Sequence, residues 1–471
     1  MDINYQYVTP QLYRRIREYR EEFHRYPECG WTEYRTSWRI ADRLTELGFE
    51  VFAGESVCGS GTGMGIPEEE SAQEYEQRAC TEGVPKEVLA QMRGGRTGVV
   101  GVLRGSRKDT GDEHCGDRTY AGDEHRGDRT YAGDRDCEAE SGENAEQVIA
   151  FRFDIDALPI QEERTVYNAS YRSLHEGVMH ACGHDGHTAV GLGLAEILSQ
   201  YRNQIDGEIR LIFQPAEEGC RGAAAIVSQG WLDDVDVLLG GHIGIGCRHI
   251  GEIAACSGGF LATSKLNFHF RGKSAHAGKA PEKGKNALLA AAEFTVDAYA
   301  LARGHDDIRV NVGKFVGGSG RNIIAADAWL EAETRGAATE LNVKLCEQME
   351  QTAQRDAGKY GVTVKMDKVG EAQTGESSPE LVKLCEKNAC EMGLTEGFRK
   401  EAMFGASEDV TVMMERVQEH NGQAAYFMFG APLFAEHHHC AFDFDEEVLG
   451  IMAEFYARSV LEKQKGEDKP E

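Results

Sequence analysis

The chain has 471 residues, 41% of them hydrophobic, with 79 acidic against 51 basic side chains and a net charge of −28. At about 100–200 residues per domain, this length accommodates two to four domains with a sizeable core. So acidic a balance argues against nucleic acid or an anionic membrane as main partner, since both select clustered Lys and Arg.

No run is apolar enough to predict a transmembrane helix, and Met1-Asp2-Ile3-Asn4-Tyr5 lacks the basic and apolar regions of a signal peptide. The 13 cysteines are odd in number and irregularly spaced. They read as reduced thiols, so a cytoplasmic location is expected.

In chain order, residues 8–49 read as mostly helical. Leu12, Ile16, Tyr19 and Phe23, then Ile40, Leu44 and Leu47, recur at helical spacing before Gly48. A polar, Glu-rich stretch runs to about residue 95. Residues 97–103 and 148–153, rich in Val, Ile and Phe, predict strands. Between them, residues 111–121 (GDEHCGDRTYA) recur as 122–132 with one change. The segment is charged, Gly-rich and almost without aliphatic residues, so an insertion over about 105–146 is expected to be disordered.

From 148 to about 255 strands alternate with helices: strands at 148–153, 208–213 and 235–239, helices at about 186–201 and 220–229. This rhythm predicts an α/β layer with a mainly parallel sheet. Residues 262–370 change pattern. Strand 264–270 alternates through Leu266, Phe268 and Phe270. An Ala-rich helix follows over 284–303, then strands 308–316 and 327–334, a helix 337–357 and a strand 361–367. That order, β-α-β-β-α-β, is a ferredoxin-like unit. The expected organisation is one domain in two parts, 1–260 and 371–471, interrupted by a second at 261–370.

Three clusters carry chemistry. Residues 179–187 (MHACGHDGH) place Cys182 and His184 two apart in a Gly-containing loop at a helix start. Alone, the pair is weak evidence and reads somewhat more readily as a buried cysteine and a packed histidine. Glu217 and Glu218 follow a strand; adjacent carboxylates point different ways, so one can ligate a metal while the other moves a proton. Their bland alternative is a solvated helix N-terminus. His242 follows Gly240-Gly241 at a strand end. His437-His438-His439 crowd together before Phe442-Asp443-Phe444-Asp445. Gly317-Gly318-Ser319-Gly320 is no phosphate loop, since no Lys-Ser/Thr follows.

Asp154-Ile155-Asp156-Ala157-Leu158-Pro159, the 179–187 stretch, Gln214-Pro215-Ala216-Glu217-Glu218-Gly219, Gly241-His242, Gly272-Lys273-Ser274-Ala275-His276-Ala277 and the final His-rich stretch together resemble the M20 metallopeptidase family, amidohydrolase branch. Order and spacing match over nearly the whole chain. The 11-residue repeat departs from the family pattern. The resemblance implies a metal-dependent aminopeptidase-like catalytic domain with an inserted ferredoxin-like dimerisation domain.

It also implies two divalent ions per protomer, Mn or Zn, held by Cys182, His184, Glu218, His242 and His438, with Cys182 bridging. Phe442 selects His438 among the three histidines by the family's spacing. Glu217 would be the general base and acid, and Asp156 would orient a ligand histidine. His276 would reach the site of a neighbouring protomer. Asn322, Arg335 and, more weakly, Arg321 would hold a substrate carboxylate. His24-Arg25-Tyr26-Pro27-Glu28 resembles the family's N-terminal motif, with a structural role expected.

The implied reaction is amide hydrolysis of an N-acyl amino acid. Residues 54–95, 318–322, 333–336 and 407–409 resemble a subgroup for which p-aminobenzoyl-glutamate is the foremost substrate. The implied assembly is a homodimer or a heteromer with a homologous B subunit. The alternatives are a general aminoacylase or dipeptidase, a thiol amidase using Cys182 as nucleophile, and a non-catalytic binding protein.

Overall fold

The computed structural model describes residues 3–61, 63–106, 147–394 and 397–462. From residue 107 on, the expected repeat insertion lies outside the described residues. The N-terminal helical stretch is two helices, α1 (Pro10–Arg25) and α2 (Tyr34–Glu46). Thr9 caps α1 by accepting the Leu12 N–H, and Pro10 sits in its first turn, where a missing N–H costs nothing. The polar stretch to residue 95 is more structured than its composition suggests. It holds strand β1 (Glu50–Ala53) and helices α3 (Glu55–Cys58), α4 (Glu69–Thr81) and α5 (Lys86–Met92). Sparse apolar residues suffice there: Val88, Leu89 and Met92 are buried against the main core.

Next come β2 (Val99–Arg104), β3 (Val148–Asp154), α6 (His184–Gln200), β4 (Glu208–Gln214), α7 (Ala223–Val227), β5 (Val237–Ile243) and β6 (Ile253–Gly258). The inserted stretch supplies β7 (Ala262–Arg271), α8 (Ala287–Leu301), β8 (Ile308–Gly317), β9 (Asp327–Gly336), α9 (Thr339–Lys359) and β10 (Thr363–Ala372). The chain closes with α10 (Pro379–Glu391), β11 (Phe398–Met403), α11 (Val410–Glu419), β12 (Gln423–Phe429), the short pair β13 (Leu433–Ala435) and β14 (Asp443–Phe444), and α12 (Glu447–Leu461).

The large sheet runs β1-β2-β4-β3-β5-β12-β6-β11. Its centre, β4-β3-β5-β12, is parallel throughout. These central strands are apolar on both faces, as parallel strands covered on both sides must be. Ile149, Phe151 and Phe153 of β3 join the cluster under α1, α6 and α12, while Val148 and Ala150 join the one under α7 and α11. No disulfide joins any of the eleven described cysteines. Among the described residues no helix is long and apolar enough to cross a membrane.

Residues 262–372 form a separate four-stranded antiparallel sheet, β10-β7-β9-β8, the ferredoxin-like order. Its core, between sheet and the helices α8 and α9, draws on residues 266–366. The two sheets meet near the Glu217–Glu218 turn, where the Glu371 N–H donates to the Cys220 carbonyl.

Two expectations change. Strand β6 was not foreseen. Strand β5 runs four residues past the expected 239, so Gly240 and Gly241 are strand residues rather than a turn. They are glycine because β12 presses on them: a Cβ would lie 3.0 Å from Tyr426 at Gly240 and 2.6 Å from Phe429 at Gly241.

Candidate metal centre

The candidate groups gather at the C-terminal ends of the central parallel strands, where open α/β sheets place their ligands. Asp154 ends β3 and Asp156 follows it. Glu217 and Glu218 follow β4, and His242 is the next-to-last residue of β5. His184 opens α6 after Gly183, whose φ of 93° suits glycine. His438 comes in on the β13–β14 connection, its N–H donated to the Ala181 carbonyl at 2.7 Å. Of the five non-glycine residues with positive φ among the described residues, Ala216, Cys220 and His438 belong to this region. Such backbone is costly and persists only where its surroundings hold it.

Side-chain donor atoms converge in overlapping groups, each within 4.8 Å of one another: Cys182, His184 and His242; Cys182, Glu218 and His438; His184, Glu217 and Glu218. Cys182 Sγ lies 3.4 Å from His242 Nε2, and His438 Nε2 lies 3.4 Å from Glu218 Oε1. His184 Nε2 is 3.8 Å from Glu217 Oε2. A cavity of about 370 Å³ is lined by Cys182, Glu217, Glu218 and His242 at the strand ends of the large sheet, by His438 of the β13–β14 connection, and by Lys265 and Arg335 from the small sheet.

The donor set suits a divalent ion. His184 Nε2 is buried without a hydrogen-bond partner, a costly state that a cation would relieve. The opposite faces of the imidazoles are fixed. His184 Nδ1 donates to the Asp156 carbonyl at 2.9 Å, and His242 Nδ1 to the Ile243 carbonyl at 2.9 Å. In each ring Nε2 is therefore the nitrogen that faces the cluster and is left for a metal. Burial, with His187 and His437 nearby, drives the His242 pKa well below the usual histidine value, so it is neutral. Hydrogen bonds to Cys182 and Glu218 raise that of His438 to about 10. Burial, with Glu408, Glu218 and Asp409 adding, holds Glu217 well above the usual carboxylate range.

Asp156 acts on the backbone as well as beside His184. Its two carboxylate oxygens accept the N–H groups of Glu217 and Glu218, each at 3.0 Å. Behind it, Glu33 accepts the Ala216 N–H at 2.8 Å. The His24–Glu28 motif has the structural role expected of it: His24 contacts Asp185 at 2.9 Å and Glu162 at 3.0 Å, and the Glu28 carbonyl accepts the Ala157 N–H.

The substrate-side candidates divide. Arg335 lines the cavity; its guanidinium donates to Ser407 Oγ at 3.1 Å and Glu333 at 3.2 Å. His276, Arg321 and Asn322 do not line it. They share one exposed patch, joined by a bridge between His276 and Ile323 and by the Ala277 N–H donated to the Asn322 carbonyl.

Several residues were missed. His187 donates from Nδ1 to Asp154 at 2.6 Å and accepts the Ile243 N–H, tying α6 to β3 and β5. Arg152, buried, binds Asp154, Glu408 and Asp409. His187 stands in the quoted motif, but nothing local distinguishes it from a ligand. Arg152 sits in an apolar strand, and an arginine there is itself a signal, since burial demands partners.

Residues 150–462 match the model of peptidase family M20/M25/M40. The chain is 40% identical over 453 residues, 95% of each chain, to one of the subunits of the p-aminobenzoyl-glutamate hydrolase of Escherichia coli (strain K12). It is 38% identical over 457 residues, 96% of each, to indole-3-acetyl-aspartic acid hydrolase of Enterobacter agglomerans. Its fold superposes on the crystal structure of an aminobenzoyl-glutamate utilization protein from Klebsiella pneumoniae with a TM-score of 0.75, at 32% identity and 96% coverage of each chain.

Proposed function

Because the chain belongs to peptidase family M20/M25/M40 and is a hydrolase of amide bonds, we propose that it splits N-acyl amino acids, with p-aminobenzoyl-glutamate as substrate and p-aminobenzoate and glutamate as products. The observation that carries this reading is the convergence of five metal-type donors beside Glu217, four of them lining one cavity and the fifth, His184, buried behind it with Nε2 lacking a hydrogen-bond partner.

Cys182, His184, Glu218, His242 and His438 would hold two divalent ions, manganese or zinc. When bound, these would polarise the amide carbonyl and acidify the attacking water. Bound there, a cation pair would also offset the burial and carboxylate neighbours that hold Glu217 protonated. Glu217 then takes the proton of the water at its carboxylate and passes it to the departing amine nitrogen. Asp156 keeps Glu217 and Glu218 diverging by accepting both backbone N–H groups. Arg335, held by Ser407 and Glu333, receives a carboxylate of the amino acid product.

His276, Arg321 and Asn322 serve the site of a second protomer in this reading, in a homodimer or a pair with a homologous B subunit. In support, the edge strand β8 and helix α8 expose Phe315, Val316, Leu289, Val296 and Tyr299, an apolar edge that soluble proteins normally cover. Residues 261–370 are thus read as the dimerisation unit and 1–260 with 371–471 as the catalytic one. The expected cytoplasmic location is retained in the proposal.

A second reading takes Cys182 as a nucleophile, favoured by the 3.4 Å between its Sγ and His242 Nε2. Against it, His242 Nδ1 donates to a carbonyl and has no carboxylate to stabilise an imidazolium. The test of substrate is a panel of p-aminobenzoyl-glutamate, hippurate and dipeptides, assayed after chelation and after adding back manganese or zinc. Restored turnover greatest on p-aminobenzoyl-glutamate is expected; greatest turnover on a dipeptide would assign another substrate.

A further inference from the structure

We infer that Lys265 is a specificity residue that receives the side-chain carboxylate of the amino acid product, restricting the enzyme to amides of dicarboxylic amino acids. The inference deepens the proposed function and rests on it.

Strand β7 alternates: Leu266, Phe268 and Phe270 are fully buried against α8 and α9, so Lys265 points to the other face of the small sheet. Strand β9 alternates likewise and places Glu333 and Arg335 on that face. Lys265 and Glu333 are directly opposite in the register, and Thr263 faces Arg335. Lys265 Nζ meets Glu333 Oε2 at 2.5 Å, and Arg335 meets Glu333 Oε1 at 3.2 Å. Glu333 therefore spaces two cations along one wall.

That wall faces the metal cluster, since Lys265 and Arg335 line the same cavity as Cys182, Glu217, Glu218, His242 and His438. On its other side, across the strand pair, Lys265 has Gly370 as neighbour, where a Cβ would come within 3.1 Å of the lysine Cγ. The glycine leaves the lysine stem its course beside the Glu217–Cys220 turn.

A monocarboxylic product needs one cation, and Arg335 with its fixed fork suits that carboxylate. A second cation on the same wall has no partner in such a product. The Lys265 ammonium has three N–H donors, of which Glu333 takes one. Its side chain is 25% exposed, enough to meet a ligand. Two carboxylates on one substrate, one at each cation, use the wall fully. Three relatives that match over more than nine-tenths of the chain are named for a glutamate or aspartate conjugate, whereas the N-acetylcysteine deacetylases match over two thirds of it or less.

The test compares p-aminobenzoyl-glutamate with p-aminobenzoyl-glutamine, which has the same shape and no side-chain charge. The metal-loaded enzyme is assayed as wild type and as Lys265→Met. Lys265→Gln replaces it if the methionine variant melts more than about 5 °C below wild type. Wild type is expected to favour the glutamate amide in kcat/KM, and the variant to lose that preference by roughly 10- to 100-fold, the scale of one hydrogen bond to a charged group. An unchanged glutamate-to-glutamine ratio, with both substrates still hydrolysed, would overturn the Lys265 assignment alone. Wild type that hydrolyses neither substrate would overturn the proposed function and this subsite with it.

Discussion

At the scale of single residues, the site is built by carboxylates that touch backbone and imidazoles as much as by the donors themselves. Asp156 sets the Glu217–Glu218 turn, Asp154 sets His187, and His24 sits between Asp185 and Glu162. His24 is 1% exposed. Burial lowers its pKa, but the bonds to Asp185 and Glu162 outweigh this and raise it to about 9 from 6.5. A folded-state value above the unfolded one stabilises the protein fully below pH 6.5, and that stability is lost as pH rises through about 9. The expected result is that wild type exceeds His24→Gln in unfolding free energy by a margin that shrinks by about 3 kcal/mol between pH 6 and 10. A margin independent of pH in denaturant titrations would remove His24 from this role. The donors Cys182, His184, Glu217, Glu218, His242 and His438 were legible because each stands in a short motif. Lys265 and Arg152 were not, because their meaning lies in which groups they face across the sheet, and His187 stands in a motif where spacing does not tell a positioning residue from a ligand.

At the scale of elements, the alternation of strand and helix from 148 to 255 and the β-α-β-β-α-β order of the inserted stretch were readable from apolar period alone. The stretch 50–95 was not. Its helices α4 and α5 are short and polar, and tertiary contacts through residues such as Met92 decide them. Helix α6 shows how such contacts position chemistry. It begins at His184 and is buried along nearly its whole length. Three interior glycines let its neighbours close in: a Cβ would lie 2.7 Å from Phe444 at Gly186, 2.7 Å from Phe213 at Gly191 and 2.6 Å from Ile16 at Gly193. Glycine costs a helix about 1 kcal/mol against alanine, so three of them are retained for packing. Gly191→Val is expected to destabilise by about 1–3 kcal/mol through overpacking against Phe153 and Phe213. Urea unfolding measures this, and a variant as stable as wild type would show that α6 can move away from the sheet.

At the scale of the whole molecule, the large sheet is completed by strands from both ends of the chain. Strand β12 lies between β5 and β6, although 180 residues separate β5 from it, Ile243 to Gln423. No local pattern announces that placement. The insertion between β6 and α10 carries Arg335 and Lys265 to the cavity but leaves His276 on an exposed patch. If His276 serves a second protomer, mixing Glu217→Gln with His276→Ala protomers after dissociation is expected to restore about one quarter of wild-type activity, since half the dimers are mixed and each has one complete site. No recovery would place His276 outside the neighbouring site. The central claim is that Glu217 moves protons beside a metal pair held by other residues. Turnover of p-aminobenzoyl-glutamate and metal content, measured together on Glu217→Gln, test it most directly. Two ions per chain are expected to be retained and kcat to fall by at least about 100-fold; a variant that keeps its metal and turns over within tenfold of wild type would contradict this role of Glu217.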